Sequence, residues 1–500
     1  MPENLTPTQS TADVPLSEKE QPVGSGNDSA LSPPPQQQQQ QFVHEDTTAV
    51  EQKLTTLERR NVWFMLLAYA FLVSSTTLVV GSSGLIVLAV GGSRQIAPIA
   101  LAVFLAGASV ISLGTAPIFA RGGRKGGFMV GISGGLLGAA IGAIGIWLTS
   151  PVLIIIAMFP LGVANGIGMY LRFAAIEVVP AHAKAFAVTL VLTGGCLAAF
   201  VGPESSEGTK NMFGSDLTYF GNFLSVAVFN VVQATFVALT VFPKSDKDSA
   251  KGSVTVDVEK DAPASVTDDP ELPSGPSLPT LMMRRSFWVP TFVSAMAWSI
   301  MAMPMSVVRV AMGQLGFSSR TSLLVIELHF LGMYAPGFVT SKLITRFGPQ
   351  KVIMAGMGAF LLSLVLSLLA DEGQSLVLWA LGQIMVGIGW NLTFSSSTVM
   401  LPKVYAEAPA MKGKVQSAHD FIMFLVSGGF NFATGYIYEA GGSAVPGWRT
   451  VLWSSGGLVV LLAAVMTYDL ISGENTSNDN DNKNGKESYT PAKPTNFEDE

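Results

Sequence analysis

Arg172, Glu327 and Asp420 stand inside long apolar runs of this sequence, and Glu204 stands at the end of another. A charge at the centre of a bilayer helix costs about 2.5–3.5 kcal/mol on insertion scales, so such residues persist where they face water, a partner of opposite sign or a polar solute. An arginine there can hold an anionic or polar solute, or close an ion pair. A carboxyl there can take up and release a proton as its surroundings change. Neutral polar residues accompany them. Asn165, Gly168 and Arg172 recur at i, i+3, i+7 and share one helical face. Asn391, Ser395 and Thr398 recur at i, i+4, i+7, beside the ring surfaces of Trp390 and Phe394. That stripe suits the hydroxyls or amides of a ring-bearing solute, and it equally suits helix–helix hydrogen bonding. Arg172 has a second use open to it, reaching to the membrane interface on its apolar stem.

The elements that must position these groups follow from composition. Hydrophobic residues are 49% and charged residues 13% of 500, and the mean hydropathy is +0.44. Runs of about 20 apolar residues need a lipid solvent, so the bilayer is the first expected partner. Apolar stretches lie near 62–90, 96–119, 127–148, 152–178, 185–203 and 217–242, and again near 286–312, 321–344, 350–370, 376–401, 414–438 and 447–471. This is an all-α polytopic membrane chain of twelve transmembrane helices in two six-helix bundles, 58–242 and 286–471. Six plus six around a long middle segment is the parallel-repeat plan of a secondary transporter. Residues 1–57, rich in Pro, Ser and Gln, the acidic linker 243–285 and the Asn- and Asp-rich 472–500 carry too little apolar surface to fold and read as disordered. The first 57 residues contain no signal-peptide pattern.

Lys and Arg set the orientation. One side carries Arg59, Arg60, Arg121, Arg124, Lys125, Lys184, Arg346 and Lys351 among others, and the opposite loops carry Arg94, Lys210, Arg320 and Arg449. The bias places both termini in the cytosol and leaves plasma or internal membrane open. Arg172 then lies roughly 12 Å above the cytosolic end of the fourth span, at 1.5 Å per residue. Glu177 reads as an interface residue near Lys184, and Arg309 as a residue near an outer helix end that pairs with Glu327 or meets headgroups. Glu204 is as well suited to a wet outer rim as to proton transfer. Glu327 and His329, two apart, point to different faces.

Several classes are excluded by what the sequence lacks. There is no basic stripe for nucleic acid, no phosphate-binding G-x-x-x-x-G-K-[ST] loop for an ATP-driven pump and no His–Cys cluster for a metal. Cys196 is the single cysteine. No cofactor and no enzymatic activity are expected.

The chain resembles the major facilitator superfamily. Ala120-Arg121-Gly122-Gly123-Arg124-Lys125 is similar to that superfamily's Asp-Arg-x-Gly-Arg-Lys loop, with a second copy at Arg346-Phe347-Gly348. The usual acid is replaced by Ala120 and by Thr345, which puts the charge relay built on it in doubt. A narrower resemblance, carried by RFAA at 172–175, LTGGCLAAFVGPE at 192–204, GIGWNLTF at 387–394 and KVQSAHDF at 414–421, points to a mostly bacterial group of uncharacterised transporters. It carries no secure substrate; riboflavin or another vitamin-like solute is the suggestion. The resemblance implies that the fourth and eleventh helices line a central cavity, which would set Arg172 against Asp420 as a gate that forms and breaks. The competing arrangement is a local pairing of Asp420 with His419 or a lysine. It also implies that the fifth and eighth helices face each other, bringing Glu204 towards Glu327.

The reading is a secondary transporter of a small organic solute by alternating access, as symporter or antiporter, with protons as the candidate coupling ion through Glu204, Glu327 and Asp420. A uniporter of the same fold and a non-transporting solute sensor are the alternatives.

Overall fold

A computed structural model describes residues 54–180, 183–242, 276–373, 375–442 and 444–487. Each of the twelve apolar stretches is a helix. The first, α1 (Thr56–Ala89), begins with a capping box in which Thr55 and Glu58 satisfy each other's backbone N–H groups. The 49-residue helix Ile99–Trp147 is too long for one crossing, and Gly123 divides it with φ 62° and ψ −175°. Its halves, 99–122 and 124–147, are α2 and α3. The fourth span, α4, is broken into Pro151–Gly168 and Leu171–Glu177. Then come α5 (Lys184–Thr209) and α6 (Phe220–Leu239).

The second half holds α7 (Arg285–Gln314), α8 (Ser319–Tyr334 and Gly337–Phe347), α9 (Pro349–Gly373), α10 (Leu376–Met400), α11 (Lys412–Ala440) and α12 (Ala444–Glu487). Among the described residues eleven helices, one of them the double-length α2–α3, are long and apolar enough to cross a membrane. The expected N-terminal tail and acidic linker lie outside the described residues, apart from 54–57 and 276–285. In the expected C-terminal tail the backbone stays helical through Glu487. Extending an existing helix needs no new nucleus.

Large apolar side chains such as Trp147, Val152, Trp453 and Val460 point outward, as they do when the surrounding solvent is hydrocarbon. Within a bundle, small residues let backbones touch. A Cβ on Gly162 of α4 would lie 1.9 Å from the Phe104 carbonyl oxygen of α2, so only glycine permits that crossing. The two halves meet along three helix pairs: α1 with α7, α2 with α11, and α5 with α8. The α2–α11 contact includes a hydrogen bond from Ser109 Oγ to the Phe421 carbonyl at 2.9 Å. This is the all-α major facilitator fold. We call the face carrying the Gly123 and Gly348 turns the motif side and the opposite face the far side.

Candidate functional site

Each loop motif is a glycine turn. Gly123 and Gly348 both have positive φ, 62° and 83°, a backbone that disfavours any Cβ. The turn at Gly123 aims Arg124 at Glu177, and the two side chains form a bidentate ion pair. Glu177 therefore serves the loop, not Lys184. It supplies from α4 the carboxylate that Ala120 lacks. Lys125 donates to the Ala238 carbonyl at 2.7 Å. Arg121 is exposed, and Arg346 lies over the Phe347 ring. In the second half the corresponding ionic contact is Arg285 with Asp469 at 2.7 Å, which Gln350 also reaches.

A vestibule of 1110 Å3 opens on the motif side between the halves, with Thr115, Phe119, Tyr170 and Phe173 on one wall and Gln416 and Ser417 on the other. Arg172 lies next to the first wall, against Phe173. The guanidinium lies 4.8 Å from the Phe173 ring and 5.8 Å from the Phe394 ring of α10. Its Nε is buried and has no hydrogen-bond partner. Among the described ion pairs none joins Arg172 to Asp420, so the expected gate contact is not made in this state. The guanidinium is taken up instead by the Phe173 and Phe394 rings. Nor does Asp420 form an ion pair with a neighbour among the described residues. His419 turns instead to Thr291 of α7 (Nδ1 to Oγ1, 3.0 Å).

Beyond Arg172 lies an aromatic group. Trp390 and Phe394, one turn apart on α10, stack with centroids 5.1 Å apart. Trp298 of α7 meets Trp390 edge-on at 5.2 Å and 89°, and Phe394 at 6.0 Å. Asn391, on the same helix, has its amide on two protein groups: Nδ2 donates to the Met333 carbonyl at 2.7 Å and Oδ1 accepts from Thr340 at 2.6 Å. Pro336 interrupts α8 there, and the Asn391 amide braces the break by bonding to Met333 on one side and Thr340 on the other. Asn165 accepts from Thr76 of α1 at 3.2 Å. Ser395 is half-buried on the next turn.

The far side is closed by charge. Arg320 of α8 donates to Glu204 of α5 at 2.6 Å, both exposed. Arg309 of α7 is buried, 5% exposed. It donates to the Gly81 carbonyl at 3.3 Å and Ser82 Oγ at 3.4 Å on α1, and lies 3.8 Å from Glu207 of α5. Ser319 of α8 donates to the same Glu207 at 2.9 Å. The Arg309 partner is thus Glu207, not Glu327 or a headgroup, because α7 abuts α1 and the end of α5. Tyr219, between α5 and α6, sits under Lys210, and burial pushes its phenol up so that it stays neutral beside Glu207. Glu327 is 4% exposed, and one of its oxygens has no hydrogen-bond partner.

Three groups thus lie along the boundary between the halves: the motif-side vestibule, Arg172 with the rings beside it, and the far-side carboxylates. Trp298, Glu207, Ser319 and Asp469 were not singled out from sequence. Glu207, three residues after Glu204, carried the one available signal, a second acid near the same helix end.

Comparison with known proteins agrees with the fold. The family model described as Major Facilitator Superfamily matches residues 287–496. A protein of Brucella anthropi named riboflavin transporter RfnT is 28% identical over 414 residues, 83% of this chain and 95% of that one. The Bacillus subtilis protein YddS, named an uncharacterized MFS-type transporter, is 25% identical over 67% of this chain and 74% of its own. Among solved structures, a D-xylose-proton symporter superposes with TM-score 0.60 at 14% identity, covering 81% of this chain and 95% of that one. The nucleoside transporter NupG does so with TM-score 0.54 at 14% identity, covering 83% and 99%. At these identities the solved structures speak to fold alone.

Proposed function

We propose that this chain is a membrane transporter of the major facilitator superfamily that moves a small organic solute by alternating access, driven by a proton gradient. The observation that carries this reading is the opposite condition of the two faces. The halves are tied by ionic contacts on the far side and separated by a vestibule on the motif side. With both termini cytosolic, as the Lys and Arg bias favours, this is an inward-open state of a multi-pass membrane protein.

Opening the far side breaks the contacts of Arg320 with Glu204 and of Arg309 with Glu207. It frees Glu204 from Arg320 and exposes Glu327 to the outer solution, where both exchange protons. Closing the motif side brings Asp420 to Arg172, so that the solute, the proton and the ion pair compete for one set of partners. The resemblance to a riboflavin transporter supports riboflavin or another vitamin-like solute as cargo. The solute crosses unchanged, and no cofactor takes part.

The test is uptake by the full chain in sealed vesicles under an imposed proton gradient. Glu327→Gln is expected to abolish gradient-driven accumulation while leaving exchange of solute across the membrane. Accumulation that survives both the substitution and collapse of the gradient would point to the uniporter.

A further inference from the structure

We propose that the rings of Trp298, Trp390 and Phe394, with Arg172 laid against Phe394, seat a planar heteroaromatic ring that carries several hydrogen-bond acceptors. The inference rests on the transport reading for its biological use, but its argument is chemical. Trp390 is 5% exposed. The indole N–H groups of Trp298 and Trp390 and the Nε–H of Arg172 are all shielded from solvent and all lack a partner. Buried N–H groups without partners are rare in folded proteins. Here three come from three helices, α7, α10 and α4, of both halves, and are linked ring to ring.

Each of these groups can donate and none can accept. The complementary ligand therefore brings acceptors, as ring nitrogens and ring carbonyls do. The surrounding surface is π face and edge, which suits a flat ring of several atoms' width. A polyol fits poorly, since it has no π face and its hydroxyls bring further donors. A cationic solute is disfavoured by the Arg172 guanidinium. Access runs through Arg172 itself, which touches Phe173 on the vestibule wall and Phe394 in the cage. An arriving ring can replace either face of that stack.

Binding to the purified full chain in nanodiscs tests this, read by quenching of tryptophan and flavin fluorescence. The probes are riboflavin, lumichrome (the ring system without its ribityl chain) and ribitol (the chain without the ring). Riboflavin and lumichrome are expected to bind within about tenfold of each other, and ribitol not to compete. Trp390→Phe and Trp298→Phe keep a ring and lose the N–H, and each is expected to weaken binding roughly fivefold. Trp298→Ala removes the wall and is expected to cost at least about tenfold. Ribitol competing as well as riboflavin, or no binding of either tricycle, would overturn the inference without any variant having to fold. So would tryptophan-to-phenylalanine variants that bind like the parent. Vesicle flux separates the two readings. Rings that bind with this pattern but never cross leave the cage standing and remove the transport reading. Flux of a solute that no ring probe inhibits does the reverse.

Discussion

Arg309→Met is expected to shift the protein towards a state open on the far side. Methionine keeps much of the arginine's length and removes its charge. Three of the guanidinium's hydrogen bonds, two to Ser319 and one to Ser322, stay within the second half and persist in any state. The contacts that hold the halves together are those to Gly81 at 3.3 Å, Ser82 at 3.4 Å and Glu207 at 3.8 Å. All three are long, and the Glu207 side chain is 25% exposed, so each belongs at the weak end for a charged donor, under about 1 kcal/mol. Their combined loss is about 2 kcal/mol, which multiplies the open-to-closed ratio by roughly thirty. Spin labels report that ratio. On a Cys196→Ala background, Met212→Cys in the α5–α6 connection and Gly313→Cys at the end of α7 are both exposed, and added atoms at Gly313 meet nothing within 4 Å. The inter-label distance distribution is expected to gain a longer component in the Arg309→Met protein. A distribution unchanged from the parent, in a protein that stays folded, would refute the claim that this arginine holds the far side shut.

Two other substitutions probe the frame of the site. Asn391→Ala strips the Met333 carbonyl of its side-chain donor and Thr340 of one of its two acceptors at the α8 break and is expected to destabilise by about 2 kcal/mol, seen as a lower melting temperature. An unaltered melting temperature would mean that the break needs no brace. Arg124→Glu and Glu177→Arg are each expected to lower transport. Their stability cost is under about 1 kcal/mol because the pair is part-exposed, and the double exchange is expected to recover flux. Failure of the exchange to recover any flux would remove Glu177 as the loop's carboxylate.

The span pattern was legible in the sequence because a bilayer demands long apolar runs with turns between them. Charges buried in those runs were legible for the same reason, and Arg172, Glu327 and Asp420 all lie near the boundary between the halves. Partner choice was not legible, since it depends on which helices of different halves touch. Arg309 could be seen as unusual, but only the packing of α7 against α1 and α5 selects Glu207. Trp298 gave no mark, because a tryptophan in an apolar run looks the same whether it faces lipid, core or cavity. Asn391 was visible as a polar residue in a helix, yet its task, repairing the break at Pro336 in another helix, exists only in three dimensions. The replacement of the usual loop acid by Ala120 left a cation without an obvious partner. Glu177, some fifty residues on, becomes that partner only when the end of α4 reaches the start of α3.

The measurement that bears most directly on the whole account is counterflow of labelled riboflavin in vesicles containing only this protein. Alternating access predicts that unlabelled riboflavin trapped inside drives transient accumulation of label, and that an imposed proton gradient drives it without trapped solute. Label that binds the protein but never enters the lumen above the level of empty vesicles would contradict it.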